Sequence, residues 1–122
     1  MENIQVKTAV KALDSKKGKE IKVLRVGDIT VLADYFVICT GTSSTQVKAL
    51  ADECEYQLSR AGFEPKHREG TEGRSWILLD YGDMIVHVYN QEAREFYNLE
   101  RFWADAEEID IQNVMDEKEN NE

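Results

Sequence analysis

The sequence contains no apolar run long enough to cross a membrane. Its apolar stretches, such as Tyr35 to Cys39 and Trp76 to Leu79, fall far short of the ~20 residues that a membrane-spanning helix requires. The start, Met1 to Ile4, also lacks the basic region and apolar block of a secretory signal. We therefore expect a cytoplasmic protein, and its 122 residues suit one domain with one core.

Cysteine and histidine are also scarce, with two residues of each type. Cys39 and Cys54 lie in apolar segments without C-x-x-C spacing, which disfavours a zinc site and favours reduced thiols in the core. His67 lies in a basic cluster that predicts solvent exposure, and His87 lies mid-strand, where a structural hydrogen bond is the favoured role. These residues indicate no metal site, no cofactor and no catalytic pair.

Positive charge is in deficit, because 15 lysines and arginines face 24 acidic residues, for a net charge of −9. The segment from Asp105 to Glu122 holds eight acidic residues and one lysine, a net charge of −7, which leaves −2 for Met1 to Ala104. Neutralisation of phosphates dominates nucleic-acid affinity, so this charge balance disfavours direct binding to nucleic acid. If the protein acts near RNA, we expect it to bind a basic protein.

The apolar pattern predicts alternating helices and strands. A stripe with helical spacing from Val6 to Leu13 indicates a first helix, and Ser43 with Gln46 indicates the capped start of a second. The other predicted elements are strands at 20–26, 35–40 and 63–68, a hairpin at 75–80 and 84–89, and helical segments within 92–103. Pro65 favours an edge position for the third strand, because proline cannot donate to a strand ladder.

This order of elements predicts a single three-layer α/β domain over residues 1–111, with a mixed sheet of about five strands flanked by helices. Gly70 to Gly73 indicates a flexible loop ahead of the hairpin. Residues 112–122 have no apolar period and much charge, so we expect a frayed, acidic C-terminal tail.

The predicted hairpin has two different faces. With Gly82-Asp83 as the loop, the aliphatic face pairs Tyr81 with Met84, Leu79 with Val86, and Ile77 with Val88. The opposite face carries Trp76, Leu78, Asp80, Ile85, His87 and Tyr89. Such a mixture suits protein recognition, but Trp76 would be a core residue if helices covered this face. The sequence leaves both interpretations open, and another loop length would regroup the residues.

Catalytic motifs are weak throughout the chain. Thr40 to Ser44 opens a helix after a buried strand, where a phosphate could bind, but the P-loop lysine and the G-x-G-x-x-G spacing are missing. Its serines are explained as helix caps. A metal-dependent nucleotidyltransferase needs clustered carboxylates, yet Asp34, Asp80 and Asp83 form no D-x-D pair on a strand. We therefore expect a protein that is not an enzyme.

Several blocks of the chain resemble one known family. The blocks are Ala9–Lys17, Ala33–Ile38 with Thr40–Ser44, Val47–Ala51, Trp76–Asp83 with Val86–Val88, and Arg94–Tyr97 with Leu99–Trp103. They follow one another in order over roughly residues 4 to 111, so that several long segments agree together. In these blocks the chain resembles the ribosomal silencing factor (Iojap-related) family.

The resemblance implies a repressor of translation. Members of this family bind the large ribosomal subunit through universal large-subunit ribosomal protein fourteen, and they sterically block subunit association when nutrients are limiting. The resemblance also implies a nucleotidyltransferase-like fold without the catalytic carboxylates. A degenerate nucleotidyltransferase-like enzyme with residual nucleotide binding is the alternative hypothesis, and a homodimer of the free protein through its aromatic face is a third.

The resemblance further implies which side chains contact the partner. Matching positions of the hairpin block give Trp76, Leu78, Asp80 and Tyr81, and the closing helix adds Arg94, Tyr97 and Trp103 as weaker candidates. A basic ribosomal protein is a suitable target for an acidic domain, so the charge balance agrees with this expectation.

Overall fold

The structure is a computed structural model that describes residues 3–70 and 75–116. The described helices are α1 (Ile4–Ser15), α2 (Ser44–Arg60), α3 (Gln91–Tyr97), α4 (Leu99–Phe102) and α5 (Ile111–Asp116). The described strands are β1 (Lys19–Arg25), β2 (Tyr35–Gly41), β3 (His67–Gly70), β4 (Trp76–Asp80), β5 (Met84–Asn90) and β6 (Glu107–Ile109). The predicted order of elements is confirmed as far as α4, and β6 and α5 follow it.

The strands form one mixed sheet in the order β3-β4-β5-β2-β1-β6. β2 and β5 are parallel neighbours at its centre, and every other neighbouring pair is antiparallel. The apolar run of β2 is typical of a central strand covered on both faces, and six of its seven residues are buried. β3 lies at an edge, as Pro65 indicated, although the strand begins at His67 rather than at residue 63.

The hairpin of β4 and β5 pairs in the predicted register. Leu79 lies opposite Val86 and Ile77 opposite Val88, and the Tyr81 N–H donates to the Met84 carbonyl at 2.8 Å. Gly82 in the loop has a φ of 87°, a conformation that glycine adopts without steric cost. The predicted division of the hairpin into two faces is therefore confirmed.

Helices lie on both faces of the sheet, as the three-layer prediction required. We call the face under α1, α2 and α5 the inner face, and the face under α3 and α4 the outer face. The inner face holds the larger core, in which aliphatic residues of β4 and β5 pack against α1 and α2. Cys39 and Cys54 are buried there as free thiols, and burial raises the pKa of Cys39 to about 12.

The start of α2 is fixed by side-chain hydrogen bonds. Ser43 Oγ accepts from the Gln46 N–H at 3.1 Å, and Gln46 Oε1 accepts from the Thr42 N–H at 2.6 Å. This resembles the predicted capping box, except that the glutamine bonds one residue earlier than the usual partner. Gln46 Nε2 also donates to the carbonyls of Lys16 and Lys17, which ties this turn to the end of α1.

The prediction of a frayed tail is wrong for residues 112–116, which lie in α5. Val114 is 1% exposed and joins the inner core, with Ile111 and Met115 packed beside it. β6 pairs with β1 and makes the sheet six-stranded, where about five strands were expected. The remaining tail prediction, residues 117–122, and most of the predicted loop, residues 71–73, lie outside the described residues.

Replacing Val114 with alanine should destabilise the protein by about 2 kcal/mol, because two buried methyl groups are lost and a cavity remains. Urea unfolding followed by circular dichroism measures this difference. Asn113→Ala is the matched control, since Asn113 is exposed on the same helix. Equal free energies of unfolding for the two variants would show that α5 does not dock on the core.

Candidate functional site

α3 and α4 cover only part of the outer face. α3 follows β5 directly and packs on β5 and β2. On β4, Trp76 and Leu78 remain half-buried, and on the neighbouring edge strand His67 and Glu69 are exposed. The part of the outer face formed by β3 and β4 is therefore open to a partner.

A cluster of aromatic side chains lies at the border of this open area. The Tyr97 ring packs 4.7 Å from the Trp76 ring, and the Phe96 ring stands edge-on to Tyr97 at 5.0 Å between centroids. Phe96 is 81% exposed and Tyr97 46% exposed. We call Trp76, Leu78, Phe96 and Tyr97 the aromatic patch. Contiguous exposed apolar groups of this kind mark interaction sites.

Two asparagines bring Tyr97 to this position. The Asn90 side chain accepts from the Ala93 N–H at 2.8 Å and starts α3. Asn98 ends α3 with a φ of 45°, a left-handed conformation that asparagine tolerates, and its side chain then caps α4. Because Ala93 and Arg94 form the buried side of α3, the last turn presents Phe96 and Tyr97 at the margin of the sheet.

Arg94 holds α3 and α4 against the sheet and is not available to a partner. Its side chain is 5% exposed. The guanidinium donates twice to the Glu100 carboxylate, at 3.2 and 2.8 Å, once to the Glu20 carbonyl at 2.7 Å, and once to Thr40 Oγ1 at 2.6 Å. These partners belong to α4, β1 and β2. We call this set of bonds the Arg94 clamp.

Glu100 is the anionic half of the clamp. Hydrogen bonds from Arg94 and then from Lys22, at 3.1 Å, outweigh burial and hold the pKa of Glu100 below its ordinary value. The carboxylate therefore stays charged at neutral pH and remains paired with Arg94. A bidentate pair of this kind fixes orientation as well as adding energy.

The structure places the other expected contact residues in different surroundings. Trp76, Leu78 and Tyr97 lie together in the aromatic patch. Tyr81 lies on the inner face with 6% exposure, so it offers no contact surface on the outer side; alternation along the strand places it there. Trp103 is half-buried and packs edge-on to Phe36 at 5.1 Å.

Asp80 lies at the end of β4, and its side chain accepts a hydrogen bond from the hairpin loop that follows. Its Oδ1 accepts from the Gly82 N–H at 2.8 Å, and its Oδ2 lies 3.4 Å from His67 Nε2 on the edge strand. Beside it, a groove of about 200 Å³ is lined by Glu69, Gly70, Trp76 and Leu78. The open area thus combines an apolar floor with carboxylates at its rim.

His87 lies beneath the patch on β5. It is 5% exposed, and its Nδ1 accepts a hydrogen bond from Trp76 Nε1 at 3.3 Å. Burial lowers the pKa of His87 to about 4, so the imidazole is neutral at physiological pH. Two of the predicted outer-face residues of the hairpin, Trp76 and His87, are thus joined by a hydrogen bond.

Several groups of catalytic potential are engaged or buried in the described part of the chain. Within residues 3–70 and 75–116, no group of three or more His, Cys, Asp and Glu residues could hold a metal ion. The turn before α2, where a phosphate could bind, uses its Thr42 and Gln46 N–H groups for capping. Burial raises the pKa of both thiols, which makes them poor nucleophiles.

None of the helices in the described part of the chain is long and apolar enough to span a membrane.

Replacing Arg94 with alanine should destabilise the protein by about 2–3 kcal/mol, because Glu100 is left partly buried without its main partner. Chemical unfolding measures the loss. Arg101→Ala is the control, since Arg101 is exposed on α4 and should cost less than about 0.5 kcal/mol. Similar stabilities for the two variants would contradict the clamp.

One family model matches this chain over residues 1–122, and it describes a ribosomal silencing factor during starvation. A ribosomal silencing factor of Bacillus subtilis is 41% identical over 106 residues, which are 87% of this chain and 90% of that protein. One from Halalkalibacterium halodurans is 40% identical over 107 residues, 88% and 92% of the two chains. The chloroplastic protein Iojap of Zea mays is 33% identical over 83% of this chain and 44% of its own length.

Solved structures agree with the fold. A crystal structure of a Chromobacterium violaceum protein superposes with a TM-score of 0.81 at 38% identity, covering 85% of this chain and 88% of that one. A Bacillus halodurans crystal structure gives a TM-score of 0.78 at 36% identity, with coverage of 89% and 99%. The family is one of regulatory proteins and not of enzymes. On these matches in sequence and fold, the chain belongs to the ribosomal silencing factor family.

Proposed function

We propose that this protein represses translation in the cytoplasm by binding universal large-subunit ribosomal protein fourteen on the large ribosomal subunit. The bound protein then blocks the surface on which the small subunit would dock, and it does so when nutrients are limiting. The observation that supports this mechanism best is the exposed aromatic patch beside the open part of the outer face on β3 and β4. The family resemblance supports the identity of the partner.

The patch has the composition of a binding hot spot. Tryptophan and tyrosine supply large contact areas with few rotatable bonds, and they dominate the energetics of many protein interfaces. Phe96 and Tyr97 are exposed, and Trp76 is half-buried beside Tyr97. A partner that covered these rings would therefore remove a substantial apolar area from water.

The charge around the patch favours a cationic partner. Glu69 lines the groove beside Trp76 and Leu78, and no ion pair is found for its carboxylate in the described part of the chain. The whole chain carries a net charge of −9. Acidic groups at an interface rim speed association with basic proteins and disfavour nucleic acid. A basic ribosomal protein fits both the apolar floor and the acidic rim.

The proposed mechanism requires binding and bulk but no chemical step. An interface of about 800 Å² on each partner is the size at which specific complexes are usually stable. A domain that occupies one subunit at the joining surface excludes the other by steric overlap.

Replacing Trp76 with alanine should weaken binding by about 2 kcal/mol or more, which is roughly a 30-fold loss of affinity. Titration against the purified ribosomal protein measures this loss directly. Light scattering of mixed ribosomal subunits measures the consequence of this loss. The wild-type protein should prevent the subunits from joining, and the variant should leave them able to join. Circular dichroism checks that the variant folds.

Tyr56→Ala is the matched control, because Tyr56 is a 56%-exposed aromatic residue on α2, on the other side of the sheet. It should bind and inhibit like the wild type. Unchanged subunit joining in the presence of saturating wild-type protein would contradict the proposal. A pull-down that recovers other large-subunit proteins instead would show that the protein docks at a different place on the subunit. Size measurements on the free protein would reveal whether its aromatic patch pairs with a second copy.

A further inference from the structure

A buried histidine under a binding surface requires an explanation. His87 lies in the middle of β5, opposite Leu78 and diagonal to Trp76. The surrounding rings and chains are apolar: Phe36 stands edge-on at 5.0 Å between centroids, and Ile38 lies beside it on the parallel strand. An aliphatic residue would suit these surroundings better, because burying a polar group costs free energy unless it is fully hydrogen-bonded.

His87 is only half satisfied. The indole N–H can only donate, so His87 Nδ1 must be the unprotonated nitrogen that accepts it at 3.3 Å. In a neutral imidazole the proton then resides on Nε2. That nitrogen is buried and has no hydrogen-bond partner within the described structure. The folded protein therefore keeps the hydrogen bond from Trp76 to His87 Nδ1, while the His87 Nε2 donor is left without a partner.

Ring packing alone does not fix the orientation of Trp76. The indole contacts Tyr97 at 4.7 Å and Tyr89 at 6.3 Å, and both arrangements are tilted rather than parallel. Tilted ring contacts of this kind favour a geometry only weakly, and the torsion about the Cβ–Cγ bond is broad, so these contacts alone permit the indole to turn about that bond. The hydrogen bond to His87 selects one of these orientations, because only one brings the indole N–H to Nδ1. The two rings are also nearly parallel, at 23°.

We propose that His87 is a positioning residue for the partner-binding surface, where it holds the indole of Trp76 in its docking orientation before the partner arrives. This inference rests on the proposed function, because Trp76 is taken there as the anchor. A side chain that is already ordered loses less conformational entropy on binding, so preorganisation raises affinity without adding a contact to the partner. His87 itself is buried and makes no contact with the partner. It affects binding through the orientation of Trp76.

Two substitutions separate the hydrogen bond from the packing of the imidazole. His87→Leu places an apolar side chain of similar size at this position and removes the Nδ1 acceptor. His87→Asn places an amide oxygen near the position of Nδ1 and restores it. The chain has two tryptophans, so a ¹⁵N-labelled sample gives two indole N–H signals, and Trp103→Phe assigns them.

The first measurement is the rate at which each indole proton exchanges with water in the free protein. We expect the Trp76 indole proton to exchange about tenfold faster in His87→Leu than in the wild type, and to return within about twofold in His87→Asn. The Trp103 signal is the internal control, and its unchanged rate shows that the fold is intact. An unchanged Trp76 rate in His87→Leu overturns the inference whatever the partner is.

The second measurement is the affinity of the same variants for purified universal large-subunit ribosomal protein fourteen. His87→Leu should bind roughly five- to tenfold more weakly, and His87→Asn should recover most of the loss. Faster indole exchange with unchanged affinity overturns the positioning role and leaves the proposed function in place. Wild-type protein that does not bind overturns the proposed function, together with the docking role of His87, while the exchange data still decide whether the indole is held.

Discussion

The outer face of the sheet is wider than the helices that cover it. Six strands spaced about 4.8 Å apart span roughly 24 Å, whereas one helix is about 10 Å across, and α3 packs on the two central strands β5 and β2. α4 adds one turn. The inner face has no such shortage, because α1 and α2 are longer and α5 packs beside them. The exposed aromatic patch follows from this difference, since α3 packs on β5 and β2 and meets β4 through the Tyr97 and Trp76 rings at its margin.

A short cover must be fixed by specific bonds, because it buries little apolar area of its own. The Arg94 clamp supplies these bonds to α4, β1 and β2 at once. Its partners come from parts of the chain that are 74, 54 and 6 residues away from Arg94. The position of Tyr97 against Trp76 therefore depends on a buried polar network rather than on the two rings alone.

Local patterns were enough to predict the hairpin and α2. Strict alternation and the Gly82-Asp83 loop determine the register of β4 and β5, because shifting it by one residue would expose the aliphatic face. Alternation also put Tyr81 toward the core, where the structure has it, although the family resemblance suggested a contact role.

Other features could not be predicted because they depend on contacts between distant segments. β6 has two exposed glutamates in its three residues, and it forms only because β1 offers an open edge, about 80 residues earlier in the sequence. The same absence of local signal hid the burial of Arg94. Phe96 was missed for the same reason: it faces outward because Ala93 and Arg94 form the buried side of α3, and the burial of Arg94 had no local signal.

Polar groups beneath an apolar surface give this site its rigidity. An apolar support would stabilise the fold as well as or better than Arg94 and His87 do, since buried polar groups add little net stability and cost free energy when unpaired. What they contribute is direction: the clamp sets where Tyr97 lies, and the imidazole selects how Trp76 turns. If the protein acts by occupying a surface, as we propose, it gains affinity from such order, because its rings need not be ordered again at each encounter.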